Sequence, residues 1–230
     1  MNEKTIKEKL GFYDKNLFQY VDKETLQIVN QNFIKDKRGV YLVPSYHPTK
    51  AEIKNDKIHT EKVCKFAVCR GFFTVKNLHF VHREDYVNPS TRRQDCRMYY
   101  IVKLKGVKPK EFTQAQFIEK IARYVKSSYY LKDDKNAYYY NSFHGEYIVK
   151  LKKANVAHFV ALNDSFAKDD KYCYFMDKII AGADAATFKR KGDKTNPYLD
   201  IYTYEDKKFI YINDNNCRVH VQKKKKFVTQ

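Results

Sequence analysis

Phe166-Ala-Lys-Asp-Asp-Lys-Tyr-Cys-Tyr174 is the stretch on which the reading of this chain turns, because it is met more than once. It recurs as Phe33-Ile-Lys-Asp-Lys-Arg-Gly-Val-Tyr41 and as Tyr130-Leu-Lys-Asp-Asp-Lys-Asn-Ala-Tyr138, and more loosely as Thr203-Tyr-Glu-Asp-Lys-Lys-Phe-Ile-Tyr211. The first three copies share an aromatic residue, Lys-Asp two positions later, and a tyrosine eight positions after the aromatic. The fourth keeps the Asp and the Tyr. An apolar segment, a charged tetrad and a second segment with aromatics at alternate positions, such as Tyr138 and Tyr140, spell a β-hairpin whose tetrad is a solvated turn.

A second element precedes each copy: Asp22-Lys-Glu-Thr-Leu26, Lys108-Pro-Lys-Glu-Phe112, Asn155-Val-Ala-His-Phe159 and Asp184-Ala-Ala-Thr-Phe188. A polar residue four positions before a large apolar one marks a turn or helix start, its side-chain oxygen accepting from nearby backbone amides. Asp22 precedes Asp36, and Asn155 precedes Asp169, by the same 14 residues; the other two copies carry insertions. The aspartates Asp133, Asp169 and Asp206 stand 36 and 37 residues apart, a degenerate repeat of that period in which 45–105 is eroded or inserted.

Between the copies, Phe112 to Ser127 reads as a helix: Thr113 caps it, Gln116 stands three later, and Phe117, Ile121, Tyr124 and Val125 form an apolar stripe. Thr5 to Leu10 reads as a short helix, while Tyr99 to Leu104 and Tyr147 to Leu151 are β-branched and aromatic in the way of strands. The expected fold is therefore α+β and β-dominated, built of degenerate repeats of antiparallel β-hairpins with a few short helices. Two regions are expected. Residues 1–105 hold one repeat-like unit and a divergent basic insert, and 106–230 hold the repeats proper, the alternative being one continuous domain.

The 230 residues carry 45 Lys and Arg against 27 Asp and Glu, a net charge of +18. With 43% hydrophobic residues the chain has enough apolar surface to fold. Abundant Lys, Asn, Tyr, Phe and Ile fit a genome rich in A and T, yet that bias favours acids as well and does not account for the excess of bases. A positive field attracts an acidic protein surface or a nucleic acid. Only nine of the bases are Arg, the side chain suited to reading base edges, which argues against sequence-specific nucleic-acid recognition. No apolar run reaches membrane-spanning length and the first ten residues interleave charge, so no membrane association and a cytoplasmic location are expected. Lys223 to Lys226 is expected to be a solvated basic tail.

At the repeats the sequence resembles the DKNYY family, named for an Asp-Lys-Asn-x-Tyr-Tyr signature that follows an aromatic-Ala-Lys stretch and leads into Gly-Ala-Asp-x-x-Thr-Phe. Here the matching residues are Asp134-Lys-Asn-Ala-Tyr-Tyr139, Phe166 to Phe175 and Gly182-Ala-Asp-Ala-Ala-Thr-Phe188. The likeness covers 108–211 well and 20–42 in part, while 45–105 departs from it. The resemblance implies a repeat-built bacterial binding module with no assigned catalytic residues, and it links some members to secreted toxin systems.

Catalytic signatures are missing. There is no Gly-rich phosphate loop, no G-x-S-x-G and no H-E-x-x-H. The densest acid–base cluster, His79-Phe-Val-His-Arg-Glu-Asp85, places its histidines on opposite faces of a strand. The five cysteines, Cys64, Cys69, Cys96, Cys173 and Cys217, include no C-x-x-C pair, and C-x4-C followed by H-x2-H fits no compact zinc loop, so free thiols and no metal or cofactor are expected. The residues best placed to bind a partner or phosphate are Arg92, Arg93 and Arg97, concentrated in one turn-rich loop, with Tyr138 and Tyr140 as stacking or anchoring rings, although in a repeat at least alternate tyrosines belong to the core. These readings point to a non-enzymatic protein-binding module with an acidic protein partner. An immunity protein that neutralises a cognate bacterial toxin is one form of it, and a basic nucleic-acid-binding protein is the alternative.

Overall fold

The computed structural model describes residues 2–46, 78–87, 92, 94–115, 128–141, 147–191, 203–213 and 218–224. The chain opens with helix α1 (Glu3–Leu10): the Asn2 side chain accepts from the Thr5 amide at 2.9 Å, Gly11 ends the helix in the left-handed conformation, and Ile6 and Leu10 are buried. Short 3₁₀ turns occupy Lys15–Gln19 and Val156–His158. All else that is regular among the described residues is antiparallel strand, so the β-dominated α+β class holds.

The strands fall into four sheets. The first holds β1 (Gln27–Ile28), β2 (Phe33–Asp36), β3 (Gly39–Leu42), β4 (Ser45–Tyr46), β5 (Leu78–Val87) and β6 (Gln94–Lys103). Their order is β1-β2-β3-β6-β4, with β5 paired to β6. The second runs β10-β9-β8-β7 through β7 (Thr113–Gln114), β8 (Ser128–Lys132), β9 (Ala137–Asn141) and β10 (Tyr147–Lys150). The third is the meander β11 (Val160–Ala161), β12 (Phe166–Lys168), β13 (Cys173–Phe175) and β14 (Lys178–Ile179). The fourth repeats it with β15 (Lys189–Arg190), β16 (Thr203–Glu205), β17 (Phe209–Asn213) and β18 (Val219–Lys223).

The last three repeats are thus four-stranded meanders, and in all four the expected hairpin is the middle pair. The register is the same from copy to copy: Asp36 lies opposite Gly39 and Ile34 opposite Tyr41, while Lys168 lies opposite Cys173 and Ala167 opposite Tyr174. The fourth strand is pinned by one recurring bond. The amides of Leu104, Leu151 and Ile180 donate to the carbonyls of Val40, Ala137 and Cys173, each the fourth residue after its repeat aspartate. In the third copy β14 follows β13 directly. In the first copy the fourth place is taken by the far end of β6, where Tyr41 faces Lys103 and Leu42 faces Val102. The divergent insert therefore completes the first repeat. Its ten-residue strands β5 and β6 form a ladder of nine pairs with a bulge between Phe80 and His82.

Two sequence expectations change here. Thr113 does not cap a helix, because Thr113 and Gln114 form β7 and face Lys132 and Leu131. The apolar stripe assigned to 116–127 lies outside the described residues. Lys223 closes β18, and the Lys224 ammonium reaches Glu205 at 2.8 Å, so the basic tail begins as structure.

The chain divides into two compact units. One comprises Met1–Gln114, Leu131–Lys135 and Tyr140–Val149, and the other Ala115–Tyr130, Asn136–Tyr139 and Lys150–Gln230. In the first, Ile6, Leu10, Phe12, Leu17, Val81 and Ile101 share a core around Tyr41 and Tyr99, with Phe12 stacked on Tyr99 at 4.3 Å. In the second, Phe166, Phe188, Tyr204 and Tyr211 are packed ring on ring, the Phe188 and Tyr204 planes lying within 8° of parallel.

Candidate functional site

The repeat aspartates were expected in solvated turns; they are buried. Asp36, Asp133, Asp169 and Asp206 are 2–4% exposed, while the residues that follow them in the tetrads stand in solvent. Around Asp169 four donors converge: the amides of Lys171 and Tyr172 on Oδ1 at 2.8 and 2.6 Å, and the Asn155 amide and Tyr174 hydroxyl on Oδ2, both at 2.9 Å. Asp206 gathers the amides of Lys208, Phe209 and Asp184 and the Tyr211 hydroxyl, the last at 2.6 Å. Asp36 does the same with Arg38, Gly39 and Asp22 amides, and Tyr41 sits farther off at 3.3 and 3.4 Å. The aspartate thus closes its own turn, ties down the element that begins the repeat, and holds the tyrosine five residues on. Burial alone would raise these carboxyls, but the donors outweigh it and hold Asp169 and Asp206 below the ordinary carboxylate value. Their tyrosines move the other way. Burial first, then the neighbouring carboxylate, pushes Tyr41 up to about 12 and raises Tyr174 and Tyr211 as well.

Three further devices recur that the sequence alone did not reveal. Asn30 and Asn163 turn the first hairpin of their repeats, each Oδ1 accepting two amides. The lysine before the aspartate reaches into the element that opens the next repeat: Lys35 Nζ donates to the carbonyls of Lys110 and Phe112, and Lys168 Nζ to those of Ala185 and Phe188. The threonines Thr25 and Thr187 accept the amides of Lys37 and Lys207. For the buried aspartate itself a signal was present, in the constant Asp-to-Tyr interval of five. What it meant depended on donors fourteen and more residues upstream.

The residues expected to bind a partner are dispersed. Tyr138 and Tyr140 are 1% and 0% exposed, so their rings belong to the core and offer no outward face, because β9 is covered on both sides. Arg97 is not in a loop. It lies on β6 opposite Glu84, half-buried, its Nη1 donating to the Tyr99 hydroxyl at 3.3 Å and its guanidinium over the Tyr86 ring. Arg92 is exposed with a positive φ of 52°, and Arg93 lies outside the described residues. In the histidine cluster, His79 is exposed and stacks on Tyr20 at 4.6 Å, and Arg83 pairs with Asp85 at 2.9 Å. Cys96 and Cys173 are buried, and burial pushes the Cys173 thiol up to about 12; Cys64, Cys69 and Cys217 lie outside the described residues. Among the described residues no three His, Cys, Asp or Glu side chains come together as metal ligands, and no helix is long and apolar enough to cross a membrane.

What the first unit does offer is a cleft of about 630 Å³ against β3 and β6. Its walls carry Tyr20, Arg38, His79, Lys103 and Lys105, and among the described residues that line it there is no carboxylate. Asp22, beside Arg38 at 3.7 Å, is held at about 2 chiefly by its bond to Lys37 and the Thr25 amide. Asp36 lies behind Tyr41 with its oxygens occupied by the turn amides. The cleft is therefore electropositive, with aromatic rings on one side.

The model of the DKNYY family matches residues 5–215, a span that runs through the insert as well as the motif-bearing segments. No curated protein and no solved structure matches the chain.

Proposed function

The chain belongs to the DKNYY family, and from that premise we propose that it is a repeat-built, non-enzymatic scaffold that binds an acidic protein partner in the cytoplasm. One observation carries this reading. The carboxylates and tyrosines that recur in every copy, which a catalyst would turn toward a substrate, are buried and hydrogen-bonded within their own repeats. The cations of the same turns face solvent, with the Lys37, Arg38 and Lys207 side chains 50–62% exposed. A frame that buries its four repeat aspartates and sets mostly bases, beside Asp134 and Asp170, in its exposed turns, in a chain of net charge +18, suits fast association with an acidic surface. The link between some members of the family and secreted toxins makes an acidic toxin, neutralised by this chain, the partner class to test first.

Nucleic acid is the second reading, favoured by two lysines set over one half-buried ring: Lys153 and Lys171 stand 5.7 and 5.5 Å from the Tyr172 ring centre. The experiment is a pull-down of the tagged chain from its host at low and at moderate salt, with and without nuclease. A single stoichiometric protein that survives every condition supports the scaffold. Nucleic acid that is lost on nuclease treatment or at moderate salt replaces it with the second reading.

A further inference from the structure

The cleft of the first unit differs from the corresponding place in the other repeats in how its lysine is seated. By the recurring fourth-strand bond, Lys103 corresponds to Lys150 in the second copy and to Ile179 in the third. By distance from the repeat aspartate, Gly39 corresponds to Asn136, Tyr172 and Phe209. Only the first copy sets a lysine beside a residue with no side chain. The fit is close: a Cβ at Gly39 would stand 2.5 Å from Lys103 Cε and 3.3 Å from Cδ, so the lysine stem lies across the glycine. The next residues add Lys105 and then Gly106 at φ 75°, which turns the chain at the rim. Lys103 and Lys105 form no ion pair among the described residues, and Arg38 faces them from the β2–β3 turn.

We infer that this cleft is a binding site for a small organic phosphate with a flat ring, of nucleotide size. Three cations match a di- or triphosphate, and a volume of about 630 Å³ is that of a small-molecule site. The ring seat is the Tyr20–His79 stack, whose planes lie within 13° of parallel and whose histidine is an exposed residue. Gln19 at the same wall, its Nε2 donating to the Asn16 Oδ1 at 3.1 Å, carries a neutral acceptor in its Oε1. This site needs no protein partner and is separate from the scaffold reading.

The test is calorimetric titration of the purified full chain at about 150 mM salt with ATP, with pyrophosphate, and with a single-stranded oligonucleotide as competitor. ATP is expected to saturate one site and to bind more tightly than pyrophosphate. Lys103→Met is expected to weaken ATP about tenfold or more, Lys103→Arg to restore most of the affinity, and Lys178→Met, on β14 outside the cleft, to leave it unchanged. Gly39→Tyr, which rebuilds the third copy's side chain, is expected to block binding, with thermal unfolding of each variant reporting that the fold persists. The inference is overturned if ATP shows no saturable binding, if pyrophosphate binds as tightly as ATP, if only the oligonucleotide binds, or if Lys178→Met is as damaging as Lys103→Met. Because no partner protein is present, such a failure leaves the scaffold reading as it stood.

Discussion

Removing the Asp169 carboxylate strands four donors at once, three amides and the Tyr174 hydroxyl, in a site 4% exposed. Asp169→Ala is accordingly expected to cost about 3 kcal/mol or more in urea unfolding. The tyrosine partners should rank by distance. Tyr211→Phe, losing a 2.6 Å bond to a carboxylate, is expected to cost about 1.5–3 kcal/mol, and Tyr41→Phe, whose contacts are 3.3 and 3.4 Å, clearly less. Equal losses would show that distance to the carboxylate does not set the cost, and the absence of loss in both that the two rings act by packing alone. Because Asp169 and Asp206 bind protons less readily folded than unfolded, their contribution is whole above the ordinary carboxylate value and is lost as pH falls through the lower folded one. Tyr174 and Tyr211 are raised, so theirs is whole below about 10 and is lost as pH rises beyond it. Thermal unfolding followed from pH 2 to 12 should therefore fall at both ends, and the Tyr211→Phe variant should flatten the alkaline limb.

At the scale of the element, the link from the fourth strand to the next repeat runs through one left-handed residue in three copies: Gly106, Lys153 and Gly182, at φ 75°, 63° and 75°. Each stands two residues after the amide that pins the fourth strand. Lys153 pays the steric cost that glycine avoids, offset in part by its place over the Tyr172 ring. Lys153→Gly is expected to raise stability by about 0.5–1 kcal/mol, and Gly182→Ala to lower it by about 1 kcal/mol, each read from the unfolding midpoint. This is also the scale at which the sequence was most legible and where its limits lie. The hairpins were readable because aromatic alternation and a polar tetrad are local signals. The buried aspartate was not, because a charged tetrad looks the same whether its first carboxylate faces water or a ring of donors supplied from upstream. Thr113 was misread as a cap because local patterning does not show that Lys132 lies opposite it. The cationic cleft escaped notice for the same reason: Arg38 and His79 are far apart in the chain, and the space between them exists only once β6 has joined β3.

For the molecule as a whole, +18 sets the solution behaviour. Repulsion among exposed lysines opposes compaction, and the described ion pairs, such as Lys37 with Asp22 and Lys207 with Asp184, are surface contacts that relieve little of it. Adding sodium chloride from about 10 to 300 mM shortens the screening length several-fold and is expected to raise the unfolding temperature, whereas a fold held by its ion pairs would lose stability. Differential scanning calorimetry at fixed pH decides between the two. The first repeat bears on this scale in one further respect. Its fourth strand comes from the end of an insert, so β3 must wait for Val102 and Lys103. In the third repeat the waiting strand is paired by residues only a turn away. During synthesis the emerging N-terminal sheet therefore stands incomplete, with an open β3 edge, while the whole insert leaves the ribosome. Nascent chains stalled within the insert should be captured by chaperones and cut by proteases, and those stalled just after it has cleared the exit tunnel should not.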